Sequence, residues 1–192
     1  MPPSDPLSIL QDSLRGSPII WKGDYPYFIH PISDGIPRMD ADVLRATRDL
    51  IIEMVDWSEI DLVVSVEAMG LPLLAAVGEA TGKPTVVIRK REYGMEGEVR
   101  VDVSTGYSQS TTYINDISPG ERILIVDDVI STGGTLEPIL ATLEEMGVIL
   151  QDIVIAIEKG EGRERLAKER PRWPIRTLAR IDIIDGKVEI LE

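Results

Sequence analysis

The sequence predicts an α/β domain with a mostly parallel central sheet flanked by helices. Three observations lead there. The runs Asp61-Leu-Val-Val-Ser-Val-Glu67, Pro84-Thr-Val-Val-Ile-Arg89, Ile123-Leu-Ile-Val126 and Ile153–Ile157 read as short buried strands. Helical patterns alternate with them, which favours parallel pairing and places ligands at the C-terminal ends of the strands. The length, 192 residues, fits one domain with a sizeable core, spanning 1–192.

The elements follow in chain order. The first forty residues are rich in Pro and Gly, with Tyr25, Tyr27, Phe28 and His30 interspersed, and read as an irregular extended segment. Asp40 is placed to cap an amphipathic helix whose buried stripe comprises Val43, Leu44, Ile51, Met54 and Val55. A second helix runs from about Leu71 to Ala80, between the first two strands. Residues of about 92–112 are a long polar connection with weakly alternating Val99, Val101 and Val103; so long a connection is functional or mobile. The strand ending at Asp127 feeds a helix that stops at Gly147. A charged helix near Gly162–Glu169 and a terminal hairpin over Ile181–Ile190, with an Asp-Gly turn, complete the chain.

Composition narrows the function. With no cysteine, disulfides, thiolate nucleophiles and Cys-ligated metals are excluded. A net charge of −13 argues against a nucleic-acid partner, whose footprint is a basic face. No basic region followed by an apolar run opens the chain, and no stretch has the length of a membrane span, so a cytoplasmic protein without a membrane partner is expected.

The most informative stretch is Ile123-Leu-Ile-Val-Asp-Asp-Val-Ile-Ser-Thr-Gly-Gly-Thr135. A buried strand leads to two carboxylates and then to a hydroxyl- and glycine-rich loop that opens a helix. Each part has a task if the ligand is a ribose 5-phosphate. Amides of Ser131, Thr132, Gly133, Gly134 and Thr135 at a helix N-terminus suit the phosphate, and the three hydroxyls add donors. Asp127 and Asp128, acceptor-only when ionised, suit the vicinal ribose hydroxyls. The competing reading is an acid pair at a strand end followed by a plain Gly-Gly turn. Two further elements resemble this one in placement. Glu67, Ala68, Met69 and Gly70 join a strand to a helix, as a second anion loop or as a simple turn. Arg89, Lys90 and Arg91 end a strand, as cations for an anionic ligand or as a solvated terminus.

The 123–135 run matches the 5-phosphoribosyl 1-diphosphate (PRPP) signature of type I phosphoribosyltransferases, and the resemblance covers nearly the whole chain. Ile88-Arg-Lys-Arg91, the Asp-Asp form of the signature and Gly162-Arg-Glu-Arg-Leu166 are similar to the adenine enzymes. Gly23–Gly35, Glu67-Ala-Met-Gly70 and Thr105-Gly-Tyr-Ser108 are closer to the archaeal hypoxanthine/guanine group, which looks adenine-like in sequence. The resemblance implies the type I phosphoribosyltransferase fold, with a small hood from about 1–38 and 159–192 and a flexible loop of about 92–112 that closes over PRPP. It implies that residues 67–70, often with a cis peptide, and Arg89–Arg91 receive the pyrophosphate. It also implies a homodimer, and Mg2+ held mainly through PRPP rather than by protein ligands.

Departures from the neighbours bear on the base. Met69 stands where adenine enzymes carry Arg, Gly106-Tyr107-Ser108 replaces their Glu-Tyr-Gly, and Ser131 replaces the Asp base of the common hypoxanthine/guanine enzymes. No general base is therefore named. Lys159, at the end of the strand that begins near Ile153, either donates to a purine 6-oxo group or is an exposed strand-end lysine. Ile29 and His30 lie in the implied hood, where His30 caps the purine or packs on Tyr25 and Tyr27. The expected reaction is transfer of phosphoribosyl from PRPP to hypoxanthine or guanine. The alternatives are transfer to adenine and a non-catalytic PRPP-binding regulator.

Overall fold

The computed structural model describes residues 5–23, 25–105 and 108–191. In chain order they form α1 (Pro6–Arg15), β1 (Ile19–Lys22), β2 (Tyr25–Phe28), α2 (Pro31–Asp34) and α3 (Ala41–Met54). Then come β3 (Leu62–Val66), α4 (Gly70–Thr81), β4 (Thr85–Ile88), β5 (Val99–Thr105) and β6 (Ser108–Ile114). The chain closes with β7 (Arg122–Ile130), α5 (Leu136–Glu145), β8 (Ile149–Lys159), α6 (Gly162–Glu169), β9 (Ile175–Ile184) and β10 (Lys187–Leu191).

The central sheet has six strands in the order β10-β9-β8-β7-β3-β4, all parallel except β10 at the edge. Its inner strands feed two cores by simple alternation, because successive strand residues point to opposite faces. Val63, Leu124, Val126, Val154 and Ala156 join one core with α1, α3 and α4. Leu62, Val64, Ile123, Ile125, Ile153 and Ile155 join the other, with α5 and the β5–β6 hairpin. Covered on both faces, these strands need apolar residues at every position, which is why they read as unbroken apolar runs.

Three expectations change. The described residues of the first forty are not irregular: Asp5 accepts from the Ser8 amide, Pro6 occupies the first helical turn, and Leu10 and Leu14 of α1 are fully buried. A cap, an N-terminal Pro and helical leucine spacing outweigh a Pro-rich composition. Residues 92–112 are not a bare connection either, since β5 and β6 pair antiparallel from Val99–Ile114 to Thr105–Ser108. Val101, Val103 and Ile114 of that hairpin are buried on the α5 side of the sheet, so the weak alternation marks a strand with one covered face. Finally, residues 175–191 of the implied hood extend the main sheet, with the Asp185-Gly186 turn at φ 51° and 71° joining β9 to β10. From the N-terminal segment, α2 packs on α4 and β7, and β2 meets the end of β8 through Lys159, which donates to Tyr25 Oη and Pro26 O.

Candidate active site

The loops after β3, β4, β7 and β8 converge at one end of the sheet. Asp127 and Asp128 lie within β7 rather than at its end, because Val129 and Ile130 continue the pairing with Ile157 and Glu158 of β8. Gly70, the first residue of α4, packs directly on Asp127. A Cβ there would lie 1.9 Å from Ser65 Oγ and 2.7 Å from Asp127 Oδ1, so only glycine lets the helix start this close to the acid. Burial, and then the neighbouring Asp128 charge, push the Asp127 carboxyl well above the usual carboxylate range, against the opposing pull of Lys90. Asp128 is raised as well, chiefly by burial. Both carboxylates are held at an energetic disadvantage that hydroxyl donors or a cation would relieve.

Ser131–Thr135 link β7 to α5, with Gly133 at φ 78°, a conformation that disfavours side chains. This loop is braced from α6. The Gly162 amide donates to Ser131 O at 2.8 Å, and a Cβ on Gly162 would lie 2.2 Å from that oxygen. Arg165 donates to Thr132 O at 3.1 Å while its guanidinium pairs with Glu137 and Glu169. The backbone carbonyls of Ser131 and Thr132 are thus occupied from behind. Within the loop, the Gly134 amide donates to Thr132 Oγ1 at 3.3 Å.

The loop after β3 contains a cis Glu67–Ala68 peptide, as the resemblance implies. Its four residues are not equivalent. The Glu67 carboxylate pairs with Arg89 Nε at 2.7 Å and accepts the Lys90 amide at 2.6 Å, so it positions the basic triplet rather than facing an anion. Met69 turns toward the end of α2, where a Cβ on Gly35 would lie 3.3 Å from its Cε. Arg89 and Arg91 both lie over the Tyr93 ring, at 5.9 and 5.6 Å. Arg89 and Tyr113 exchange two backbone hydrogen bonds, at 3.0 and 2.7 Å, which fasten the β5–β6 hairpin to the triplet. Gly106 and Tyr107 lie outside the described residues.

Beside the acid pair is a cavity of about 140 Å³, lined in part by Tyr25, Tyr27, Asp34, Asp128, Ser131 and Lys159. A larger groove of about 780 Å³ opens next to it along Thr132 and α6. Lys159 is not an exposed strand-end lysine. It is 7% exposed, and its ammonium donates to Tyr25 Oη at 2.7 Å and Pro26 O at 3.0 Å. Two of three donors are engaged, and the third remains for a ligand. Its neighbour Glu158 is buried and accepts from Arg163 and Thr177.

His30 does not cap this cavity or pack on the tyrosine rings. It is 0% exposed, accepts the Ile32 amide at 3.2 Å and shares a 3.0 Å hydrogen bond with Ser13, joining α2 to α1. Burial lowers its pKa to about 4, against the charge of Asp34. Ile29 is partly buried and its amide donates to Pro18 O, so its main-chain donor is also spent. Sequence reasoning named Asp128, Ser131 and Lys159 of this cavity but missed Tyr25, Tyr27, Phe28, Ser33, Asp34 and Val129; no local pattern marks Asp34, on a four-residue helix, as a lining residue.

The phosphoribosyl transferase domain model matches residues 36–174, which hold every loop described above. The chain belongs to the phosphoribosyltransferase family. Its relatives include proteins named hypoxanthine/guanine phosphoribosyltransferase from two methanogens. One, from Methanococcus maripaludis, is 45% identical over 96% of this chain and 98% of its own length. The other, from Methanotorris igneus, is 46% identical over 95% and 100%. Among solved structures, the adenine phosphoribosyltransferase from Rhodothermus marinus is 26% identical with a TM-score of 0.74, covering 91% of this chain and 98% of that one. No described helix is long and apolar enough to cross a membrane.

Proposed function

We propose that this phosphoribosyltransferase acts in purine salvage, transferring phosphoribosyl from PRPP to hypoxanthine or guanine and releasing pyrophosphate. The observation that carries the choice of base is Lys159: a buried ammonium with a donor in reserve lines the cavity beside Asp128. A donor there favours a 6-oxo acceptor over a 6-amino group. The names of the methanogen relatives point the same way.

In this reading the braced 131–135 loop receives the 5-phosphate with its amides and hydroxyls. Asp127 and Asp128 accept from the ribose hydroxyls and set negative potential near C1, where positive charge grows as pyrophosphate leaves. Residues 68–70 and the triplet Arg89–Arg91 receive the pyrophosphate, with Glu67 orienting Arg89. The β5–β6 hairpin serves as the closing element, excluding water from the reactive ribosyl cation. Most of the acceleration then comes from positioning and electrostatics. A magnesium ion would be held mainly through PRPP oxygens and water rather than by protein ligands, in keeping with the described residues, which include no cluster of three or more acidic or histidine side chains placed to hold a metal. When bound, it would neutralise diphosphate charge. The pairing of two copies and a cytoplasmic setting belong to the same proposal and rest on resemblance.

Steady-state turnover with PRPP against a panel of hypoxanthine, guanine and adenine tests the reading. Hypoxanthine or guanine should be preferred at least tenfold in kcat/KM, a difference of about 1.4 kcal/mol. Preference for adenine, or PRPP binding without turnover of any base, would overturn it.

A further inference from the structure

Phosphoribosyl transfer to a purine needs somewhere to put a proton. The ring nitrogen that attacks C1 carries, or shares by tautomerism, an imidazole N–H that must be lost as the N–C bond forms. The hydroxyl of Ser131 is no base for that proton, yet the cavity beside the acid pair does hold one carboxylate besides Asp128.

Asp34 ends α2 and is partly buried. Its side chain is fixed by two donors, the His30 amide at 3.1 Å and the Ser33 hydroxyl at 2.7 Å, and both bonds go to Oδ2. No hydrogen bond among the described residues reaches Oδ1. The carboxylate lines the same small cavity as Asp128 and Lys159. Three observations place it toward the reacting end of that cavity. Helix α2 packs on α4 and β7, the elements that carry the pyrophosphate loop and the acid pair. The next residue, Gly35, is in contact range of Met69 in that loop. The Asp34 charge is also felt at Asp128, which is raised first by burial and in smaller part by Asp34.

We infer that Asp34 accepts the imidazole N–H proton of the incoming purine. This rests on the phosphoribosyl-transfer reading but not on which purine is used. In the step, the purine ring nitrogen forms its bond to C1 of the ribose while the C1–O bond breaks and its electron pair leaves with pyrophosphate. The imidazole proton passes to Asp34 Oδ1. His30 contributes indirectly: its backbone amide anchors Oδ2, while its buried ring holds α2 against α1. A positioned carboxylate in hydrogen-bond reach of the proton is the geometry that general base catalysis requires, and such groups contribute roughly 10²- to 10⁴-fold.

The test compares wild type with Asp34→Asn, which keeps an oxygen for the His30 amide and Ser33 hydroxyl but cannot take a proton. Two bases are used, guanine and 8-azaguanine, whose triazole N–H is much more acidic and ionises without help. With guanine, kcat should fall about 10²-fold. With 8-azaguanine the loss should be at least tenfold smaller, while PRPP affinity by calorimetry stays within about twofold, since no phosphate or ribose contact changes. Asp34→Ser, a second acceptor-bearing variant, should repeat the pattern. Equal losses with both bases, lost PRPP binding, wild-type turnover, or a gain of adenine activity (a carboxylate reading the purine's imide edge) would each overturn the assignment. Should wild type use adenine instead, the choice of base in the proposed function fails, and adenine with 8-azaadenine puts the same question to Asp34.

Discussion

Protonation of His30 should unlock the N-terminal segment, and the size of the effect follows from its burial. The ring has no exposure, is the only histidine in the chain, and titrates at about 4 instead of 6.5. The sign is set by linkage. Between those values the unfolded chain binds a proton that the folded chain refuses, so stability is fully present above about pH 6.5 and declines as pH falls toward 4. Going from pH 7.5 to pH 5, the unfolded state gains about 1.4 units of protonation advantage. At 1.36 kcal/mol per unit that is a loss of about 2 kcal/mol from this residue alone. Carboxylates titrate over the lower part of the range too, so the measurement is a difference. Urea denaturation at pH 7.5, 6 and 5 is compared for wild type and His30→Asn, which keeps an acceptor for the Ile32 amide. The variant should be less stable at pH 7.5, having lost the Ser13 bond, and the gap should close by about 2 kcal/mol at pH 5. Parallel decline of the two proteins would refute the reasoning and mean that His30 charges in place.

Three other perturbations address the site. Gly162→Ala puts a methyl 2.2 Å from Ser131 O and 2.8 Å from the Gly133 nitrogen, backbone atoms that cannot step aside; PRPP affinity by calorimetry should fall at least tenfold, about 1.4 kcal/mol, in a protein that still folds by circular dichroism. Asp127→Asn or Asp128→Asn removes charge facing the developing cation with little change of shape, and steady-state kcat should drop about 10²-fold for at least one of them. Lys159→Leu leaves a 6-oxo group short of a donor in a closed cavity, so kcat/KM for hypoxanthine and guanine should fall about 5- to 150-fold, about 1–3 kcal/mol, with PRPP affinity intact. An equal loss for adenine would assign Lys159 to holding Tyr25 and Pro26 instead.

Legibility in the sequence followed how local each signal was. The inner strands, α3, α4, α5 and α6 announce themselves through local sequence pattern, α3 with a side-chain cap from Asp40 as well, and α6 spans the expected Gly162–Glu169. The loops at 67–70 and 131–135 were readable as candidate sites because each is a run of consecutive residues. The N-terminal helix was obscured by prolines that in fact start it, and the β5–β6 hairpin by the polar residues of its uncovered face. Other features are set by residues far apart in the chain. Glu67 and Arg89, Ser13 and His30, and Tyr25 and Lys159 meet only once the sheet is assembled. For that reason a histidine read either as a ligand cap or as packing on Tyr25 and Tyr27 proved to be an internal strut, while Asp34 gave no sign of its place in the cavity.

The pairing of Glu67 with Arg89 bears on how a turnover ends. With that carboxylate 2.7 Å away, the guanidinium has a charged partner before any diphosphate arrives, so less side-chain freedom is left to lose on binding. In the proposed reading, the same carboxylate competes with the product for the same cation. As pyrophosphate loosens, Arg89 already has its other partner within reach, and no bare charge is exposed in the gap. If Arg89 is the residue that grips the polyanion, this strongly acidic protein also has to let it go, and a resident carboxylate beside that arginine favours rapid discharge over tight retention.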